Sequence, residues 1–560
     1  MLFSSPRKPW APITALVFGS ALLLSACQAP EGEPSDTTIQ QGFDGDYFVQ
    51  EAVWGQCDPD IETDNPSSWM NTDGVRLLCA EVIVPANYDD LDLGVDFRIQ
   101  LAKLTKAPDS AGRDAIFINP GGPGGSGVSQ VQGSEFPEEL LNAYDMIGFD
   151  PRGVETSVFT TGESIKCSDE LDYFSYFQPS APTSLEEYQE LVELADEYFL
   201  DCVERNPLWW TLSTASVVKD LDIIRQAVTG DRPLNFIGSS YGTTIAGRYV
   251  TEFPDNVGRI VLDSPTTVNE DRVASRLEGI AKDDEKLRGF LSGYANNRDI
   301  SFDEAFDRLV TIRDRARKGS LFGYAGPAPS PLGIGQITSE ALFHRGLLTM
   351  NYLPESMAQE EFDAAVDRAY NDGDLSVFEW WGFALDGYSP SSLVGPTFEQ
   401  KRIERSTEFD VRFIVNSMDY WMPELTENQQ RDFRARTKEV APLLSILQAS
   451  DNGWEYIGPS LGLSFSRIAT EDPNIPNPPT TPFIPANISG VPLLVIGSTN
   501  ESVTPFSFAE DTAELLSSIL ITVESSEHAP AAGYRIECLN HVLVQFFTSD
   551  TPLEPTTCRA

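Results

Sequence analysis

The amino-acid sequence predicts an α/β fold: a mostly parallel sheet flanked by helices and interrupted by a large, mainly helical insertion. Three observations carry this. Short apolar runs alternate with stretches of helical spacing from about residue 92 to residue 265. That rhythm stops over residues 266–485 and resumes from 486. A serine flanked by small residues, Gly238-Ser239-Ser240-Tyr241-Gly242, falls between an apolar run and a helical pattern.

The elements follow in order. Val95 to Leu104 alternates with the period of a strand. Ala115–Asn119 and Tyr144–Phe149 are short continuous apolar runs, as expected of strands buried on both faces. From Ser213 to Val228, the residues Val217, Val218, Leu221, Ile224 and Val228 fall on one helical face. Leu234–Ile237 reads as a strand and Tyr241–Thr251 as a helix stopped by Phe253-Pro254. Arg259–Leu262 is again a strand. Helical patterns such as Phe302–Arg317 and Gln359–Tyr370 fill the insertion, which a proline-rich stretch from Pro473 to Pro485 closes. Strands then return at Val491–Gly497 and Leu520–Val523. The expected organisation is a leader over 1–26, a tether over 27–45, the first part of the core over 46–265, a helical cap over 266–485, and the end of the core over 486–560.

Charge narrows the partners. The chain has 85 Asp and Glu against 39 Lys and Arg, a formal charge of −46. Such a surface repels nucleic acid and anionic lipid, so no nucleic-acid partner is expected. At the start, Arg7 and Lys8 precede an almost wholly apolar stretch from Ala11 to Leu24. A short apolar run of this kind reads as a signal peptide rather than a membrane span. Leu24-Ser25-Ala26-Cys27 resembles a bacterial lipobox, which implies cleavage before Cys27, lipidation of its thiol and attachment to a membrane. Gln28 is not the aspartate that resembles an inner-membrane retention signal, so a Gram-negative cell would send the protein to its outer membrane. Residues 28–45 are polar, with Pro30, Gly32, Pro34 and Gly42, and read as a flexible link to that lipid.

Six further cysteines follow: Cys57, Cys79, Cys167, Cys202, Cys538 and Cys558. An even number in an exported chain suggests disulfides, and sequential pairing is the simplest scheme. None forms a C-x-x-C pair, so no metal site is expected.

The chemistry starts at Gly238–Gly242. A tight strand-to-helix turn needs small residues around the nucleophile and lifts the Ser240 hydroxyl above the sheet. The backbone N–H of Tyr241, at the helix start, would face developing negative charge. A second donor is expected from the glycine-rich run Asn119-Pro120-Gly121-Gly122-Pro123-Gly124-Gly125-Ser126-Gly127, with Gly122 preferred. That run lacks the G-K-[ST] ending of a phosphate-binding loop. There are three histidines, His344, His528 and His541. His344 lies in the insertion and His541 on a helical pattern, whereas His528 follows a strand and precedes Ala529-Pro530, which makes it the expected base. Glu501 is the only carboxylate in the loop after Val491–Gly497 and is the expected acid, with Asp511 as fallback on the next helix.

These motifs, with Cys57…Cys79 leading into Val84-Pro85, Asp150-Pro151-Arg152-Gly153, Val503-Thr504-Pro505 and the tail bearing Cys538 and Cys558, resemble the proline iminopeptidase/tripeptidyl aminopeptidase family of α/β-hydrolases. The resemblance spans nearly the whole chain after the leader. It implies the α/β-hydrolase fold and a serine exopeptidase that acts without cofactors on peptides with a free N-terminus. The Asn119-Pro120 opening of the glycine loop matches the family's secreted branch. Where the family has aspartate before Ser502, this chain has Glu501. The insertion would act as a cap over the cleft, and in this fold a cap can carry carboxylates that bind a free α-amine, for which Glu270, Glu379 and Asp419 are candidates, and Trp380 and Trp381 could line the site. The same machinery would also serve a carboxylesterase or lactonase.

Overall fold

The computed structural model describes residues 46–58, 74–107, 113–167, 200–323, 339–350, 355–384, 408–419, 427–448 and 483–559. The leader, Cys27, the tether and most of the proline-rich return lie outside these described residues.

Nine strands form one sheet: β1 Arg76–Pro85, β2 Asp96–Thr105, β3 Asp114–Asn119, β4 Tyr144–Phe149, β5 Leu234–Ser239, β6 Val257–Asp263, β7 Leu493–Ser498, β8 Ile519–Glu524 and β9 Thr556–Arg559. Their spatial order is β1-β2-β4-β3-β5-β6-β7-β8-β9. β1 and β2 form an antiparallel pair and β2 runs antiparallel to β4. From β4 through β9 every neighbouring pair is parallel.

The continuous apolar runs are explained by burial on both faces. Successive residues point to opposite sides of a strand. Phe117 in β3, Phe236 in β5 and Val495 in β7 enter one core, which also holds the helices Thr214–Thr229 and Gly242–Glu252. Ile116, Ile237 and Leu494, one position away, enter the opposite core with the helix Glu537–Thr548. Ser213 starts Thr214–Thr229 by accepting from Ser216 N through its side chain. The helix expected from Tyr241 begins one residue later, with Tyr241 as its N-cap.

β1 and β9 were not anticipated. β1 pairs with β2 along its whole length, and β9 is a four-residue edge strand beside β8. Disulfides join Cys57–Cys79, Cys167–Cys202 and Cys538–Cys558. The last of these ties β9 to the helix Glu537–Thr548.

Between β6 and β7 the described elements are helices, apart from one isolated bridge between Phe322 and Asp374. Most pack around their own apolar cluster, including Leu291, Leu309, Phe343, Phe362, Phe378 and Leu447. The helix Glu408–Asp419 does not. Its Val411, Ile414, Val415 and Met418 belong to the main core, and Asp410 accepts a hydrogen bond from Cys167 N at 2.9 Å. Gln40–Ala560 forms one compact unit. Among the described residues, no helix is long and apolar enough to cross a membrane.

Candidate active site

The carboxyl ends of the parallel strands carry the site. β5 ends at Ser239, and Ser240 adopts φ +54°, a left-handed conformation that a non-glycine residue holds only where its surroundings impose it. Ser240 N donates to the Asp263 carbonyl at 2.9 Å, and its own carbonyl accepts from Thr243 N at 2.9 Å and from Thr243 Oγ1 at 2.6 Å. The turn needs glycine at 238 because a Cβ there would run into the Gly242 carbonyl.

The glycine-rich loop abuts this turn. Asn119 Oδ1 accepts from Gly121 N at 3.0 Å, and the Gly121 carbonyl accepts from Gly125 N at 3.0 Å. A Cβ on Gly121 would lie 2.5 Å from the Ser239 carbonyl and 2.9 Å from both Ser240 Cβ and Tyr241 N. The loop backbone therefore touches the serine turn itself, with Gly122 next in line.

Glu501 follows β7 and is 1% exposed. Its Oε1 accepts from Thr504 N at 2.9 Å and Thr504 Oγ1 at 2.6 Å, and contacts His528 Nδ1. Its Oε2 accepts from Ser264 Oγ at 2.8 Å. With Nδ1–H turned toward Glu501, the Nε2 of a neutral His528 is left as the basic nitrogen. Burial pulls the imidazole pKa down, but the charge and hydrogen bond of Glu501, with the nearby Asp263 carboxylate, more than offset this, and the net shift is upward. Lys286 acts in the opposite direction.

The other candidates are placed elsewhere. Asp511 lies exposed on the helix Phe506–Leu516, with Glu278 and Glu514 as its charged neighbours. His344 is buried against Phe343 in the insertion, and His541 is exposed on Glu537–Thr548. Glu270 is exposed and Glu379 is fully buried. Asp419 is half-buried and accepts from Thr214 N at 3.0 Å and from the Thr214 hydroxyl, which also meets the Tyr241 hydroxyl. Trp380 and Trp381 stack on each other at 5.8 Å, and Trp380 is 41% exposed. A polar cavity of about 580 Å³ borders His528, with Gln130, Glu135, Glu527 and Arg535 among its lining. Among the described residues, no group of three or more His, Cys, Asp or Glu side chains is arranged to hold a metal ion.

Sequence reasoning missed Asp263 and Ser264, which reach toward all three site loops. The available signal was slight: two polar residues closing an apolar strand.

Comparison with known proteins agrees with this architecture. A family model described as the alpha/beta hydrolase fold matches residues 114–318. Serine protease Hip1 of Mycobacterium tuberculosis is 26% identical over 462 residues, covering 80% of this chain and 81% of that protein. Tripeptidyl aminopeptidase of Streptomyces lividans is 30% identical over 298 residues, covering 49% and 51%. Carboxylesterase B of M. tuberculosis is 24% identical over 500 residues, covering 86% of each.

Proposed function

The chain belongs to the α/β-hydrolase family and is a hydrolase, and from that premise we propose a serine exopeptidase that removes amino acids or short peptides from free N-termini. The observation that carries the serine-hydrolase reading is the contact of buried Glu501 with part-buried His528 on the loops after β7 and β8, both loops being hydrogen-bonded to Ser264, whose neighbour Asp263 holds the strained Ser240 turn. The similarity to a serine protease and a tripeptidyl aminopeptidase favours amide substrates.

In this reading His528 Nε2 takes the Ser240 hydroxyl proton as the oxygen attacks the scissile carbonyl. The Gly122 and Tyr241 N–H groups hold the oxyanion. The imidazolium, stabilised by Glu501, gives its proton to the leaving amine, and water then releases the acyl group. The cavity beside His528 would receive the departing chain. The three disulfides favour an exported protein, and a lipid on Cys27 would hold it at the cell envelope.

A second reading, a carboxylesterase or lactonase, draws on the likeness to carboxylesterase B. Matched chromogenic substrates separate the two: free-amine aminoacyl, dipeptidyl and tripeptidyl anilides, their N-blocked forms, and simple esters. An exopeptidase cleaves the free-amine anilides and spares the blocked ones. Ester cleavage alone, absent in Ser240→Ala, moves the function to an esterase. Near-normal turnover in Ser240→Ala or His528→Ala rejects the triad.

A further inference from the structure

We propose that Asp263, the last residue of β6, and Ser264 directly after it are positioning residues that hold the nucleophile turn, the acid and the base loop in one register. The proposal rests on the Ser240–His528–Glu501 reading above.

The case is geometric. The Asp263 carbonyl accepts from Ser240 N at 2.9 Å. Its Oδ2 accepts from Ser239 Oγ at 3.0 Å and from Ala531 N at 3.1 Å. One carboxylate oxygen thus joins the residue before the nucleophile to the loop three residues after the base. Ser264 N donates to the Ile496 carbonyl of β7 at 2.9 Å, the strand whose following loop carries Glu501. Ser264 Oγ donates to Glu501 Oε2 at 2.8 Å and accepts from Ala529 N at 3.0 Å. A single hydroxyl therefore links the acid to the residue after the base.

Two further facts argue against ordinary strand-end packing. Both side chains are fully buried, where a polar group is costly unless it is bonded; Asp263 Oδ2 and Ser264 Oγ are bonded, while Asp263 Oδ1 has no hydrogen-bond partner among the described residues. Ser264 also sits at φ +53°, so the chain accepts local strain to aim this hydroxyl. Every side-chain bond of the pair ends on a catalytic residue or within three residues of one. Such supporting bonds fix the rotamers that a reacting triad needs.

The pair also bears on the charge of His528, on which Glu501, Asp263 and Lys286 act. The Ser264 hydroxyl draws Glu501 charge toward itself, so its removal strengthens the hold of Glu501 on the imidazolium. Burial lifts the Asp263 carboxyl to about 7, so its charge is present toward the upper end of the His528 titration, and there its removal weakens the stabilisation of that imidazolium. The two lesions move the base in opposite directions, which loss of packing alone would not do.

The test measures the rate at which an alkyl fluorophosphonate labels the full chain, as a function of pH, in wild type, Ser240→Ala, Ser264→Ala and Asp263→Asn. The rate constant counts only molecules that become labelled, so misfolded protein drops out. Ser264→Ala and Asp263→Asn are expected to slow labelling about 10- to 100-fold. The acidic limb should move to higher pH in Ser264→Ala and to lower pH in Asp263→Asn. If Ser264→Ala gives no labelled protein, Ser239→Ala, which removes one donor to Asp263 and leaves the backbone bonds, takes its place and should slow labelling in the same way. Wild-type rates with unmoved limbs, while Ser240→Ala stays unlabelled, overturn this inference alone. Labelling of Ser240→Ala overturns the triad and this inference together.

Discussion

Replacing Glu501 by Gln removes one charge while keeping the shape of the side chain. Three donors surround Oε1, namely the Thr504 amide, the Thr504 hydroxyl and the His528 Nδ1–H. Among the described residues, the Ser264 hydroxyl is the donor that faces Oε2. The amide oxygen of a glutamine therefore takes the Oε1 place, its NH₂ points to Ser264, and the His528 tautomer is preserved. What is lost is the attraction between a carboxylate and the imidazolium formed during reaction. At contact distance and an effective dielectric near 20, that attraction is worth about 4 kcal/mol, and exchanging a charged for a neutral hydrogen-bond acceptor costs about 1–2 kcal/mol. These bracket a loss of about 10- to 1000-fold in kcat/KM. Glu501 raises the His528 pKa; without it, the pKa falls and the acidic limb of the rate profile moves to lower pH. Hydrolysis rates across pH 5–9 on the best anilide or ester would read both effects. An unchanged rate and limb, or a limb moving upward, would refute the assignment of Glu501. If Glu501→Gln is normal and Asp511→Asn is dead, the acid is Asp511.

Two more predictions follow from the geometry. In Gly121→Ala the new methyl group meets the Ser239 carbonyl and the Tyr241 amide, so the loop must back away from the serine turn. Turnover should fall about 100-fold or more, and steady-state kinetics within fivefold of wild type would contradict the close approach. Asp150 is fully buried, and burial lifts its carboxyl from 3.8 to about 7 against hydrogen bonds from Ser126 and Val128. The folded state therefore keeps a proton that the unfolded chain gives up from about pH 4, and the stability from this group is lost as pH rises toward 7. Asp150→Asn has no such proton, so its stability relative to wild type should climb by roughly 1 kcal/mol per pH unit across that window. Urea unfolding at pH 4.5 and 7.5 showing a constant difference would refute this.

The residues whose constraints are local were legible in the sequence. Ser240 stands out because its tight turn requires glycine two positions to either side, at Gly238 and Gly242, between strand and helix. His528 emerged from three histidines by chain order and Glu501 as the lone carboxylate of its loop, and the structure brings these two into contact. Asp263 and Ser264 were invisible because their meaning lies in partners far along the chain: Ser264 meets Glu501 at a separation of 237 residues and Ala529 at 265. β9 was missed for the same reason, since Thr556–Arg559 has no apolar run and owes its place to β8 and to the Cys538–Cys558 link. The described elements of the insertion are helices, but periodicity does not say which core a helix joins, and Glu408–Asp419 joins the other one.

That helix changes what the insertion is in engineering terms. A graft joining the end of β6 directly to the start of β7 would not yield a minimal hydrolase. It would strip Val411, Ile414, Val415 and Met418 from the main core, leave the Cys167 amide without its carboxylate, and remove Asp419 from the threonine that meets the Tyr241 hydroxyl. Exchanging the whole segment therefore removes part of the main core with it, because one helix within it belongs to the frame beneath the serine turn.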